Sequence, residues 1–201
     1  MRIGSQIDPL ILTSAAVSLF LAINGDPWWK VAGADNSKLF TVQVSPYYFQ
    51  TIATGIAPAA QFLGSLGSLT RALLFLSFVA LTATGISSNA WWRELAVYFS
   101  LSAFSELYLS FLLMYHYTET AFLGSYGIVL PSYGISRLPS VLVGLDLNSY
   151  ANPLVSAGFN LPFYLGFLGL GLVGASQILK GLRQRRKLTA QKGVAAIFTP
   201  E

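Results

Sequence analysis

The sequence predicts an all-α membrane protein, a four-helix transmembrane bundle with a small extracytoplasmic cap containing short β-strands. Three observations predict it. The 201 residues are 54% hydrophobic and only 10% charged, whereas a soluble domain carries roughly 25% charged residues. Four apolar stretches give spans at about 9–24, 66–87, 94–115 and 161–181. Two of the stretches reach the ~18–20 apolar residues that cross a bilayer as a helix, and the first is shorter, with Trp28 and Trp29 completing it as interfacial anchors. A cationic run, Lys180, Arg183, Arg185, Arg186 and Lys187, follows the last stretch and holds that end in the cytoplasm by the positive-inside rule.

These features divide the chain into one transmembrane domain, 1–182, with outer loops at 25–65 and 116–160, and a basic cytoplasmic tail, 183–201. An even number of crossings places both termini in the cytoplasm of a multi-pass cell-membrane protein. The net charge of +4 hides an asymmetry, since half of the twelve Lys and Arg residues fall between Lys180 and Lys192. Beside an apolar helix such a run reads as a topology determinant, not as a nucleic-acid surface. The partners implied are the lipid bilayer, and further copies or other membrane subunits.

The first helix opens on Asp8, a capping residue, followed by Pro9 at the first helical position, where a missing N–H costs nothing. Asn24-Gly25 and Pro27 stop it. Arg2 precedes the apolar run as in a signal peptide, but Ala22-Ile-Asn24-Gly25 is a poor cleavage site, so the run reads as a retained helix. Ser14, Ser18 and Ala22 recur every four residues, a small-residue stripe that lets a neighbouring helix approach closely.

In the first outer loop, Lys38–Ser45 is rich in β-branched residues and partly alternating, so it reads as a strand. Val31-Ala32 is its partner, with Ala34–Ser37 as the turn. Pro46–Phe49 ends the strand. Gln50–Gly64 is read as a short helix on the membrane or as the start of the second helix, and a fifth span there is the alternative.

The second span contains Arg71. The apolar run after it, Ala72–Ile86, is fifteen residues, about 22 Å of helix against a ~30 Å hydrocarbon core. The helix therefore begins near Leu66, with Arg71 at the outer leaflet. Ser87–Ala90 makes a tight connection, and Trp91, Trp92 and Arg93 anchor the third helix at the interface. The loop from His116 to Asn160 has turn signals at Pro131–Gly134 and Leu138–Ser140 and is apolar enough to pack over the first loop. The last helix carries Gly166, Gly169, Gly171 and Gly174, and Gly171 with Ala175 makes a small-xxx-small pair for close helix packing, within the bundle or between copies.

Glu106 lies near the centre of the third span, where a carboxylate costs at least ~2.5–3.5 kcal/mol on insertion scales and needs a partner. In a tight hairpin of helices two and three, residues of equal depth have numbers summing to about 180, which puts Arg71 less than a turn from Glu106. The two form an expected intramembrane ion pair, with Ser102, Ser105 and Ser110 filling the remaining hydrogen bonds. The alternative is a proton or cation relay. His116 is the single histidine and there is no cysteine, so one chain has no thiolate site, no bis-histidine haem and no multi-histidine metal centre. No phosphate loop, dinucleotide fingerprint, nucleophile elbow or zinc-protease motif occurs. No catalytic residue, cofactor or metal is expected. Trp28, Trp29, Tyr47 and Tyr48 form aromatic clusters in the outer loop that read as interfacial belts or as a contact surface.

The order of elements, with Pro27-Trp28-Trp29-Lys30 directly after the first helix, resembles the claudin superfamily. The layout covers most of the chain. It departs from that family in lacking the Trp…Gly-Leu-Trp-Cys-Cys signature and in its longer second loop. The resemblance implies a contact or scaffold role. The functional expectation is a structural or interaction protein, an oligomerising tetraspan or an accessory subunit of a membrane complex. The alternatives are a small transporter using Glu106 and Arg71, and a cofactor- or quinone-adjacent subunit of a respiratory or oxidase complex with His116 near the group.

Overall fold

The computed structural model describes residues 8–33, 40–53, 63–86, 89–123, 129–137 and 154–197. In chain order these form α1 (Pro9–Ile23), β1 (Trp29–Gly33), β2 (Phe40–Val44), β3 (Phe49–Ala53), α2 (Leu63–Ile86), α3 (Ala90–His116), a π-helical turn (Tyr117–Leu123), β4 (Gly134–Arg137), β5 (Leu154–Phe159) and α4 (Leu161–Ile197). The protein is mostly helical with one small antiparallel sheet. Three segments, Gly64–Ile86, Trp91–Thr120 and Leu161–Arg186, are long and apolar enough to cross a membrane. α1 is apolar but has 15 residues, about 22 Å.

The helices alternate in direction, and their contacts establish it. The start of α1, the end of α2, the start of α3 and the second half of α4 meet at one end: Asp8 bonds to Arg93 and Ser176, and Gly85 packs on Leu12. The other end holds the close of α1, the start of α2, the end of α3 and the start of α4. There Tyr47 joins Leu21 to Gly67, and Tyr108 joins α3 to Phe163. Asp8 caps α1 as expected, accepting from Leu10 N at 3.1 Å and Ile11 N at 3.4 Å. Asn89 caps α3, accepting from Trp91 N at 3.1 Å.

The sheet lies across one end of this bundle in the order β3-β2-β1-β5-β4. β1 is its centre and pairs with β2 of the first loop and β5 of the second, so Val31 stands opposite both Val42 and Ala157. Strands from the two loops therefore join in one sheet. Period-two alternation sets the faces: Trp29, Val31, Val42, Val44, Val155 and Ala157 are buried, while Lys30 and Ser156 are exposed. Gly134 opens β4 with φ +91°, a left-handed conformation that a side chain resists.

Three expectations are corrected. Gln50 to Ala53 is strand, because Ser45–Tyr48 turns the chain back and Phe49 registers against Val44; the rest of the proposed fifth span, 54–62, lies outside the described residues. The last helix does not stop near 181. α4 continues to Ile197, because Lys, Arg, Gln and Leu are good helix formers and no Pro or cap interrupts them. The tail's basic run is therefore carried on a helix, with Arg183, Arg185 and Arg186 exposed. A Cβ on Gly171 would meet nothing within 4 Å among the described residues, so Gly171 does not make the packing within the bundle that its pair with Ala175 allows, whereas Gly166 and Gly169 of α4 are closely packed.

Candidate functional site

Glu106 sits on α3 facing α2, half-buried. Its Oε1 accepts from Thr70 Oγ1 at 2.9 Å and from Ser110 Oγ at 2.8 Å, and its Oε2 is buried without a partner. Thr70 also reaches Leu66 O at 3.0 Å, so its one hydroxyl hydrogen is shared between two acceptors. Ser110 fills the place expected for it, whereas Ser102 and Ser105 are exposed.

The Arg71–Glu106 ion pair is not formed. Among the described residues the ion pairs are Arg93–Asp8 and Lys180–Glu94. Arg71 is exposed and lays its guanidinium over the Tyr47 ring, 4.7 Å from the centroid. Arg71 lies at a depth similar to that of Glu106 but on a different side of α2. One residue along a helix turns the side chain by about 100°, and Thr70, not Arg71, faces Glu106.

Above this cluster lies a layer of rings. Trp28 and Trp29 were expected as outer contacts, yet they are 1% and 0% exposed. Trp28 packs edge-on to Tyr108 and Phe163 and against Phe111. Its backbone is tied on both sides, N–H to Val44 O at 2.9 Å and C=O to Asn160 N at 2.8 Å. Trp29 packs edge-on to Tyr115 and donates its indole N–H to Ser132 O at 2.9 Å. Tyr47 is buried as well and donates to Leu21 O at 2.7 Å. Tyr48 is half-buried and donates to Gly25 O at 2.9 Å. Burial raises the pKa of both hydroxyls above its ordinary value, with the Asp26 charge adding to the rise at Tyr48. For Trp29 sheet formation explains the correction, because β1 is the central strand and its inner face enters the core. Trp28 precedes the strand and is held inward by its bonds to Val44 and Asn160, and Tyr47 by its bond to Leu21.

No family model matches this chain, and no curated protein matches it. Function therefore rests on geometry. Among the exposed apolar side chains at the sheet end, which include Ile23 and Leu161 on the helices, Val129, Tyr133 and Ile135 reach 78%, 75% and 71% exposure. They lie on and before β4, the terminal strand of the sheet, and composition alone did not mark them out from other loop residues. His116 is exposed at the end of α3. Among the described residues no three His, Asp or Glu side chains gather as metal ligands would.

At the opposite end the Asp8 carboxylate joins three helices. Oδ1 caps α1, while Oδ2 accepts from Arg93 on α3 and, at 2.8 Å, from Ser176 on α4. Beside it Lys180 pairs with Glu94 at 3.1 Å. The small-residue stripe of α1 works in the same core. Ser14 donates to Gly169 O at 3.0 Å, Ser18 to Ser77 at 3.3 Å, and Ala22 is buried.

Proposed function

We propose that this chain is a cell-membrane protein whose four helices all cross the bilayer, with both termini cytoplasmic, and that it acts by contact: a tetraspan that assembles with further copies or with subunits of a larger complex. The observation that carries this reading is the β4 edge. Ile135 on this terminal strand and Tyr133 just before it are apolar and exposed, and such an edge offers both backbone groups and side chains to a partner. The exposed apolar positions of α2 and α4, among them Phe75, Leu76, Phe167 and Leu168, suit contact with lipid. α1 is short, but it runs beside α2 and α4 and keeps its own apolar stripe, Phe20 and Ile23, exposed. Trp91 and Trp92, exposed at the start of α3, suit an interfacial anchor. The claudin-like layout belongs to the same proposal, supported by the element order and by the Pro27–Lys30 segment that leads into β1.

The test is the assembly state in mild detergent. The native protein is expected to migrate as a defined oligomer or complex, and Tyr133→Arg with Ile135→Arg to dissociate it. A native protein that runs as a clean monomer contradicts the reading. A second reading, a proton- or cation-coupled component, is favoured by the buried, unpartnered Oε2 of Glu106. Flux in reconstituted vesicles that disappears in Glu106→Gln supports it, and flux that is absent or unchanged excludes it.

A further inference from the structure

The starts of α1 and α3 and the second half of α4 enclose an open cleft of about 930 Å³, lined among others by Asp8, Arg93, Ser176, Lys180, Arg183 and Arg186. Four cations face one carboxylate, and that carboxylate is already engaged by the α1 amides, Arg93 and Ser176. Lys180 has Glu94. Arg183 and Arg186 have no ion-pair partner among the described residues, and Arg93 keeps its Nε–H buried without an acceptor. A buried donor left unmatched is unfavourable unless a ligand supplies the acceptor.

Helix periodicity selects these cations. Ser176, Lys180 and Arg183, with Leu179 and Arg186, recur at three- and four-residue spacing and so share one face of α4. Arg185 carries the same charge but lies outside the cleft, beside Leu182 and Thr189 in a second depression that Arg186 also borders. The cleft also has an apolar wall of Pro9, Leu10 and Leu179, at the level where the apolar part of α4 gives way to charge. Guanidinium forks match phosphate oxygens in geometry and charge. Basic pockets between helices at a cytoplasmic membrane face take anionic head groups in this way.

We propose that this cleft binds an anionic phosphate group, carried by a membrane phospholipid whose acyl chains lie along the apolar wall. The lipid as source rests on the membrane reading above, whereas occupancy of the cleft by phosphate does not. Full-length protein in a non-ionic detergent is titrated with dioctanoyl phosphatidylglycerol, dioctanoyl phosphatidylcholine and inorganic phosphate, and binding is read by native mass spectrometry. Phosphatidylglycerol is expected to bind in preference to phosphatidylcholine. Arg183→Gln with Arg186→Gln is expected to weaken it by about 10- to 30-fold, and Arg185→Gln by less than about two-fold. Both altered arginines are exposed, so the thermal midpoint of the ligand-free protein should not move, and Arg183→Lys with Arg186→Lys should restore part of the binding. Equal weakening by Arg185→Gln, or equal binding of the two lipids, overturns the proposal in favour of diffuse charge attraction. Inorganic phosphate binding that depends on Arg183 and Arg186, without lipid binding, overturns the lipid source. Topology is read by separate labelling, so failure here and failure of the membrane reading are distinguishable.

Discussion

At the sheet end the bundle is closed by paired backbone and a layer of rings; at the basic end it is closed by one carboxylate, two of its donors and a second ion pair. The sheet end spreads its stabilisation over many contacts, with Trp28 and Trp29 buried among Tyr108, Phe111, Phe163 and Tyr115. The basic end concentrates it in Asp8, Arg93, Ser176, Lys180 and Glu94. Apolar burial carries no charge for salt to screen, whereas an exposed or partly exposed charge pair is screened. One end is therefore a fixed platform, and the other is responsive to ions and to anionic ligands.

The comparison can be broken by mutation. Trp28→Ala should destabilise most, by about 3–5 kcal/mol, because it removes a fully buried indole and leaves a cavity. Unfolding in detergent followed by circular dichroism measures it. Arg93→Ala should cost less, about 1.5–3 kcal/mol for a charge-assisted hydrogen bond, and the difference from the native protein should shrink as salt is raised. A larger loss from Arg93→Ala than from Trp28→Ala would reverse the ranking of the two ends.

Close packing gives a sharper contrast. A Cβ on Gly67 would lie 2.4 Å from the Tyr47 carbonyl oxygen, whereas one on Gly171 meets nothing within 4 Å. Gly67→Ala should therefore cost about 1–3 kcal/mol, and Gly171→Ala should be neutral or stabilise by up to about 1 kcal/mol through helix propensity. Thermal unfolding of the two variants side by side decides it, and equal effects would mean that α2 does not rest on the Ser45–Tyr48 turn.

The smallest effects concern Tyr47. Arg71→Leu should lose about 0.5–1 kcal/mol of cation–π attraction and leave the Thr70 and Ser110 bonds to Glu106 intact. Tyr47→Phe should lose about 1 kcal/mol with its bond to Leu21 O. Burial holds the Tyr47 hydroxyl's pKa above its ordinary 10.0, so the unfolded chain ionises first. Its contribution to stability is complete below about pH 10 and is lost as pH rises above that value. A pH titration of stability should show a shallower alkaline decline in Tyr47→Phe, with the remaining decline including Tyr48.

Much of the helical framework was legible because helix signals are local. Asp8-Pro9 and Asn24-Gly25 mark the ends of α1, and fifteen apolar residues after Arg71 require an earlier start for α2. The β1–β2 hairpin was legible for the same reason. Pairing across sequence was not: nothing near Trp29 states that its strand will lie beside Leu154–Phe159, and without that pairing two tryptophans beside a membrane read as exposed anchors. The polar cluster failed at one step. The hairpin sum fixed how deep the partner of Glu106 lies, but a one-residue error rotates the partner away, so Thr70 was missed and Arg71 chosen. The Asp8–Arg93–Ser176 junction was invisible because its members are 85 and 168 residues apart.

The central claim is that the sheet and the basic helix end face opposite sides of a membrane. The chain contains no cysteine, so single cysteines report cleanly: Lys30→Cys on the outer face of β1 and Gln184→Cys on α4, both at exposed positions. With a membrane-impermeant maleimide on intact cells, the account predicts labelling of Lys30→Cys at once and of Gln184→Cys only after permeabilisation. Labelling of Gln184→Cys in intact cells, or of both positions alike, would contradict it.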